Sequence, residues 1–493
     1  MTLNTENKTS KLVETRSIDY IPEAERHGSV WSQFTLWFGA NLQITAIVTG
    51  ALAVVLGGDV FWSLIGLFIG QVVGGAIMAL HGVQGPKLGL PQMISSRVQF
   101  GVYGAVIPIV LVCIMYIGFS ASGSVLAGQA IGKLVHVSDN LGILIFGILL
   151  VIFTICGYKI IHGMGRLASV VGVLAFCYMF YQLMTKHDVI ALLSIKHFSW
   201  ASFMLAVSLS ASWQIAFGPY VADYSRYLPK NTSSFKTFLA VGSGSIIGTQ
   251  ISMIFGVLAA AQAAQSGGAF RHHEVEYIVG LSGVGLIAAL LYFIIAFGKV
   301  VITTLNAYGS FMSMATIISG FRGHSVISSR LRFIYIFIMV GLSVVIALLG
   351  RGDFLNNFSA FLLFLLTFFT PWSAIIIVDY YLVTKQRYDI PALSDPNGRY
   401  GKWNWVGIGV YIFGVLIQMP FVDTKFFTGP LVHYLQVDIS WIIGWIIPAI
   451  VYFILARKFS YEIPHQLIIP DHETDDSEQD DNFLKDISNV AVN

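Results

Sequence analysis

The chain is predicted to be an all-α polytopic membrane protein with twelve transmembrane helices, and three observations predict it. Hydrophobic residues make up 56% of its 493 residues and charged residues 11%, too little polar surface to solvate a globule of this length. Apolar stretches of about 20 residues, enough to cross the hydrocarbon core, recur from residue 33 to residue 457. With the N-terminus placed inside, 21 of the 28 Lys and Arg residues fall in inner segments and 6 in outer ones, a bias that predicts N-in, C-in topology.

In chain order the expected spans are 33–56, 61–81, 102–126, 140–158, 164–184, 201–221, 237–264, 283–308, 333–350, 358–384, 404–420 and 439–457. Residues 1–32 are polar, lack a cleavable signal pattern and read as a cytoplasmic tail. Residues 33–384 would form a ten-helix core, 385–457 a loop and two added helices, and 458–493 an acidic cytoplasmic tail. The three cysteines, Cys113, Cys156 and Cys177, all lie in spans and read as small buried packing residues.

Polar groups at membrane depth survive where they line a cavity or meet protein, and three regions hold them. In the first span Gly39, Asn41, Gln43 and Thr45 put a helix-weakening residue, two amides and a hydroxyl among apolar neighbours. They suit either a bound solute or hydrogen bonding between helices. In the sixth span, Ser208, Ser210 and Ser212 precede Trp213, Gln214 and the pair Gly218-Pro219. Pro219 has no N–H for the carbonyl four residues back, so a helix break is expected there, with a filled proline kink as the alternative.

The eighth region, Val279 to Ile318, holds a lone lysine, Lys299, near the expected bilayer centre. A cation there costs roughly 2.5–3.5 kcal/mol on insertion scales, which suits a working site, with a structural lysine bonded to backbone carbonyls of a broken helix as the alternative. Lys299, Thr303, Asn306 and Ser310 recur at i, i+4, i+7 and i+11 and share one helix face, expected to look into the protein. Spans one and six, the two disturbed ones, are an odd number apart and run in opposite directions. An inverted repeat of five plus five helices requires this, with solute and ion near the midplane.

Further motifs are Trp37-Phe38-Gly39-Ala40-Asn41, Leu88-Gly89-Leu90-Pro91-Gln92 with Ser95-Ser96-Arg97, and Ala222-Asp223-Tyr224-Ser225-Arg226-Tyr227. They continue in Asn306-Ala307-Tyr308, Asp379-Tyr380-Tyr381 and Gly398-Arg399-Tyr400. In these motifs and their order the sequence resembles the nucleobase-cation symporters, in their purine-cytosine permease branch. The resemblance implies a leucine-transporter-type fold and a flat heterocycle held between aromatic residues of spans three and six. Those positions fall on Tyr116 and on Trp213 or Gln214, with Gln214, Asn306, Asn41 and Gln43 meeting the edge of the ring and Gly39 allowing close approach. A sodium ion, where the family uses one, would meet Thr303, Thr304 and backbone oxygens of Val300, Phe34 and Trp37. Lys299 departs from that pattern. A tethered ammonium beside such a site repels a metal cation or replaces it, and it can also lose its proton.

The expected function is therefore secondary active import of a nucleobase, coupled to H+ or Na+, or of a related heterocycle of the allantoin, hydantoin, pyridoxine or thiamine type. The expected partners are that small molecule and the lipid bilayer of the cytoplasmic membrane, with no cofactor and no nucleic acid. A membrane enzyme is disfavoured because paired mid-membrane carboxylates, a His-rich cluster and a Cys/His nucleophile arrangement are all missing from the sequence. A channel is disfavoured because no filter-like repeat occurs, and an ATP-driven pump because no Gly-Lys-Ser/Thr phosphate loop occurs.

Overall fold

The computed structural model describes residues 18–155, 158–322, 329–459 and 461–470. Cys156 and the acidic run from residue 471 onward lie outside these. Two strands of two residues each form a small hairpin at 423–428, and the remaining regular structure is helical.

The first span is two helices, α1 (Val30–Asn41) and α2 (Ile44–Val55), bent by 60° at Leu42-Gln43. A break at membrane depth frees carbonyls at one helix end and N–H groups at the next, and both need partners. The polar residues noted in the sequence supply several. Gln43 Nε2 donates to Ala40 O at 2.9 Å, Asn41 Nδ2 to Trp37 O at 2.7 Å, and Ser252 Oγ to Asn41 O at 2.8 Å.

Then follow α3 (Val60–Gly82) and the short turns α4 (Gln84–Leu88), α5 (Gln92–Ser95) and α6 (Arg97–Phe100). Next come α7 (Val106–Val135), α8 (Asp139–Ile155), α9 (Tyr158–Lys186), α10 (Val189–Leu193), α11 (Trp200–Ile215) and α12 (Gly218–Ser225). The second half has α13 (Ser234–Ser266), α14 (Glu274–Gly280), α15 (Leu286–Arg322), α16 (Ser329–Gly350), α17 (Phe354–Val378), α18 (Trp405–Gln418), α19 (Val432–Leu435) and α20 (Ser440–Phe459). Among the described residues, eight helical stretches are long and apolar enough to cross a bilayer, and the bent α1–α2 pair makes a ninth. One of the eight, residues 330–383, contains both α16 and α17, while α8 and α18 are shorter apolar helices. The chain is an integral, multi-pass, all-helical membrane protein.

The helices sort by what covers them. Leu167, Val170 and Leu174 on α9, Phe337 and Ile338 on α16, and Ile446, Ile450 and Ile454 on α20 are exposed, as suits lipid-facing apolar rows. Residues 206–215 of α11, by contrast, are buried throughout. Gly66, Gly70 and Gly74, spaced four apart on α3, admit α11. A Cβ at Gly74 would stand 2.8 Å from Ala211 O and 2.9 Å from Gln214 Cβ.

Three expectations need correction. The sixth span is interrupted just before Gly218-Pro219 rather than at it, and without a sharp bend. Residues 200–225 run as one span with a tightened turn at Ala216-Phe217, where Phe217 N bonds Gln214 O at 3.1 Å. Pro219 falls in the first turn of α12, where its missing N–H costs nothing. The eighth span does not end at 308 but continues to Arg322, because Ser310, Ser313 and Thr316 are buried against neighbouring helices rather than marking a helix end. Cys177 is exposed on α9, unlike the buried Cys113.

Candidate functional site

The break in the first span faces α15. Lys299 is 3% exposed, and its ammonium donates to Thr45 Oγ1 at 3.1 Å and Gln43 Oε1 at 3.3 Å. Among the described residues these are its only hydrogen-bond partners, both neutral, and the ammonium has three N–H groups to place. Thr45 Oγ1 in turn donates to Gln43 Oε1 at 2.7 Å, so the two acceptors form one small cup at the start of α2. Gly123 of α7 makes room for it. A Cβ there would lie 2.8 Å from Lys299 Cε, 3.1 Å from Nζ and 3.2 Å from Thr303 Oγ1. That Thr303 hydroxyl is buried and has no hydrogen-bond partner among the described residues.

A second group of side chains stands between α7 and α11–α12. Tyr116 and Phe119, three apart on α7, present one face, and Trp213, Phe217 and Tyr220, at i, i+4 and i+7, present the other. Phe119 meets Trp213 edge to face at 5.8 Å between ring centroids, and Tyr116 meets Tyr220 at 5.5 Å. Phe217 bridges Trp213 and Tyr220 at 6.0 and 5.8 Å. On α17, Phe361 closes against Phe119 at 5.3 Å. Gly309 of α15 lets the Tyr116 ring cross that helix, since a Cβ there would lie 2.6 Å from Tyr116 Cζ. Asn306, one turn earlier on α15, is half-buried. Its amide makes no hydrogen bond among the described residues.

The remaining expected edge readers are committed elsewhere. Asn41 Oδ1 accepts from Trp213 Nε1 at 2.7 Å, and its Nδ2 also donates to Ser245 Oγ at 3.1 Å. Gln214 Oε1 accepts from Ser245 Oγ at 2.7 Å, while its Nε2 donates to Gln71 Oε1 and, at 3.3 Å, to Thr249 Oγ1. Gly39 looks toward Ser169 of α9, whose Oγ would be 3.7 Å from an added Cβ.

The expected sodium oxygens have other neighbours. Thr304 Oγ1 bonds Val300 O at 2.7 Å within its own helix, Trp37 O holds Asn41, and Phe34 O lies against Gly244 of α13. The Lys299–Ser310 stripe divides as well. Lys299 and Thr303 face α7 and the break, whereas Ser310 bonds Tyr335 of α16 at 2.6 Å. Phe119, Phe217, Tyr220 and Gly123 were not singled out from the sequence. The i, i+3 and i, i+4, i+7 spacing of the aromatic residues is the signal that would have found the rings.

A model of the family described as permease for cytosine/purines, uracil, thiamine, allantoin matches residues 20–444. The "Putative purine-cytosine permease YxlA" of Bacillus subtilis is 38% identical over 453 residues, covering 90% of this chain and 96% of that protein. The purine-cytosine permease fcyB of Emericella nidulans is 26% identical over 90% of this chain and 88% of its own length. The fold is also that of Mhp1, a nucleobase-cation-symport-1 family transporter solved in a closed conformation with bromovinylhydantoin bound. That match has a TM-score of 0.72 at 20% identity and covers 90% of this chain and 95% of that one. The chain thus belongs to the nucleobase-cation symporter family, in its purine-cytosine permease branch, and is a secondary active transporter rather than an enzyme.

Proposed function

We propose that this symporter imports a nucleobase, a purine or cytosine, by alternating access with a proton as the coupling ion. The solute assignment is carried by one observation, the aromatic cluster where α7 meets α11–α12, with the uncommitted amide of Asn306 on α15 one turn before the Gly309 that the Tyr116 ring crosses. A nucleobase offers a π-face to such rings and a donor-acceptor edge to such an amide. The helices are taken as twelve spans, N-in and C-in in the cytoplasmic membrane, arranged as a leucine-transporter-type five-plus-five repeat with two more. The broken first span and the tightened turn in the sixth support that arrangement.

Lys299 supports the proton. Its ammonium already occupies the oxygen cup at the break, where a metal cation would compete with a tethered charge. Sodium is the second reading, favoured by the unpartnered Thr303 Oγ1 beside the same cup. For the solute, the hydantoin bound by Mhp1 keeps allantoin- and hydantoin-type rings as the alternative.

Thermal unfolding of the purified protein with purines, pyrimidines, allantoin and pyridoxine, with and without sodium at two pH values, tests both assignments. Stabilisation by a nucleobase without sodium dependence is expected. A sodium requirement would move the coupling ion to Thr303, and stabilisation by allantoin alone would replace the nucleobase.

A further inference from the structure

A fully buried polar chain touches the aromatic face from behind. Trp213, Asn41, Ser245, Gln214 and Gln71 are each at most 2% exposed, and they are joined hand to hand across α11, the end of α1, α13 and α3. Both amide hydrogens of Asn41 and both of Gln214 have acceptors. An amide spent in this way has no donor left for a solute, but it holds its neighbours in one geometry.

Asn41 is also the last residue of α1, and Ser252 caps its carbonyl. One residue therefore fixes both the position of the break and the edge of the Trp213 indole. Its neighbours cannot relax to make up for its loss. Ser245 and Gln214 are fully buried, and Gly74 seats Gln214 directly against α3.

We propose that Asn41 is a positioning residue for solute selection. Its side-chain oxygen orients the Trp213 ring, and the chain through Ser245, Gln214 and Gln71 keeps that oxygen in place, so residues that never touch the solute set how it is held. The proposal rests on the reading that Trp213 faces the solute.

The test is a binding cycle on the full-length protein with adenine and cytosine as probes, joined to 19F spectra of 5-fluorotryptophan-labelled protein with the residue 213 signal assigned by its loss in Trp213→Phe. Trp213→Phe keeps a ring and removes the N–H, and Asn41→Leu keeps the volume and removes the acceptor. Each is expected to weaken binding by about tenfold, and the double variant no further than Asn41→Leu alone, because the bond lost in Trp213→Phe is among those lost in Asn41→Leu. The residue 213 signal is expected to move in Asn41→Leu with no solute present.

Multiplication of the two losses toward a hundredfold would mean that Asn41 contacts the solute itself and would overturn the proposal, as would an unmoved 19F signal. If Asn41→Leu does not fold, Ser245→Ala takes its place, with a displaced signal and a several-fold loss expected. Failure of the underlying reading looks different. Trp213→Ala would then bind both probes as the wild type does, while the 19F displacement would persist.

Discussion

The two flanks of the α1–α2 break hold polar clusters of opposite completeness. Behind Trp213, the amides of Asn41 and Gln214 have every hydrogen placed on an acceptor. Facing α15, an ammonium with three hydrogens meets two neutral oxygens, and the hydroxyl of Thr303 has no hydrogen-bond partner among the described residues. A saturated network gains nothing by rearranging and so rigidifies what it touches. An incomplete one has unused hydrogen-bonding capacity, which is what the proposed coupling at Lys299 would draw on. On the proposed reading, position is held on one flank and the coupling charge sits on the other.

The largest effect is expected from removing the charge. Lys299→Met leaves Gln43 and Thr45 without their cation, and loss of hydrogen bonds to a charged group is worth about 1.5–3 kcal/mol, or roughly 10- to 100-fold. Uptake into proteoliposomes should fall by that order, accumulation against a gradient should cease, and the pH profile should flatten. A variant with the wild-type pH profile and accumulation ratio would remove Lys299 from the coupling step.

Gly123→Ala should come next. Its added Cβ would crowd Lys299 Cε at 2.8 Å, the far end of a flexible side chain. Folding should change little, while the ammonium shifts out of its cup. Transport should drop by about tenfold with unfolding temperature nearly kept. An equal loss in both would make Gly123 merely a packing residue.

On the saturated flank the order reverses. Gln214→Leu leaves buried polar groups of Gln71 and Ser245 unpaired and should cost about 1–3 kcal/mol of stability, read as a lower unfolding temperature in detergent. The dependence of uptake on pH should survive in the protein that remains folded. A changed pH profile here would join the two flanks into one unit.

The contrast between flanks was half legible from the sequence. A lysine in an apolar run, and amides and hydroxyls at 41, 43 and 45, stand out because burial without partners is costly, so their presence marks where helices break or meet. Which face each one takes is decided by packing. Asn41 and Gln43 are two residues apart, yet the break sends one toward α13 and the other toward α15. The ring faces were hidden for a different reason. With 36 phenylalanines in the chain, Phe119 and Phe217 do not stand out until α7 and α11–α12 are set against each other. The extent of α15 was misjudged because serines and threonines inside a bundle satisfy themselves on their own helix, as Ser313 does on Gly309 O at 3.0 Å and Thr316 on Met312 O at 3.0 Å.

The smallest expected effect is the most discriminating between the two coupling ions. Thr303→Val exchanges a hydroxyl for a methyl of similar size at a site that is 0% exposed, and the hydroxyl it removes has no partner to lose. Removing an unsatisfied buried group relieves a desolvation cost rather than adding one, so stability should hold or rise slightly. With Lys299 as the coupling charge, uptake should be within about twofold of the wild type, since Gln43 and Thr45 alone hold the ammonium. With sodium as the coupling ion, the same substitution strips an oxygen from the ion's shell, and uptake should fall and require higher sodium to recover. A titration of uptake against sodium in this one variant therefore separates a hydroxyl left over beside a tethered cation from one waiting for a free one.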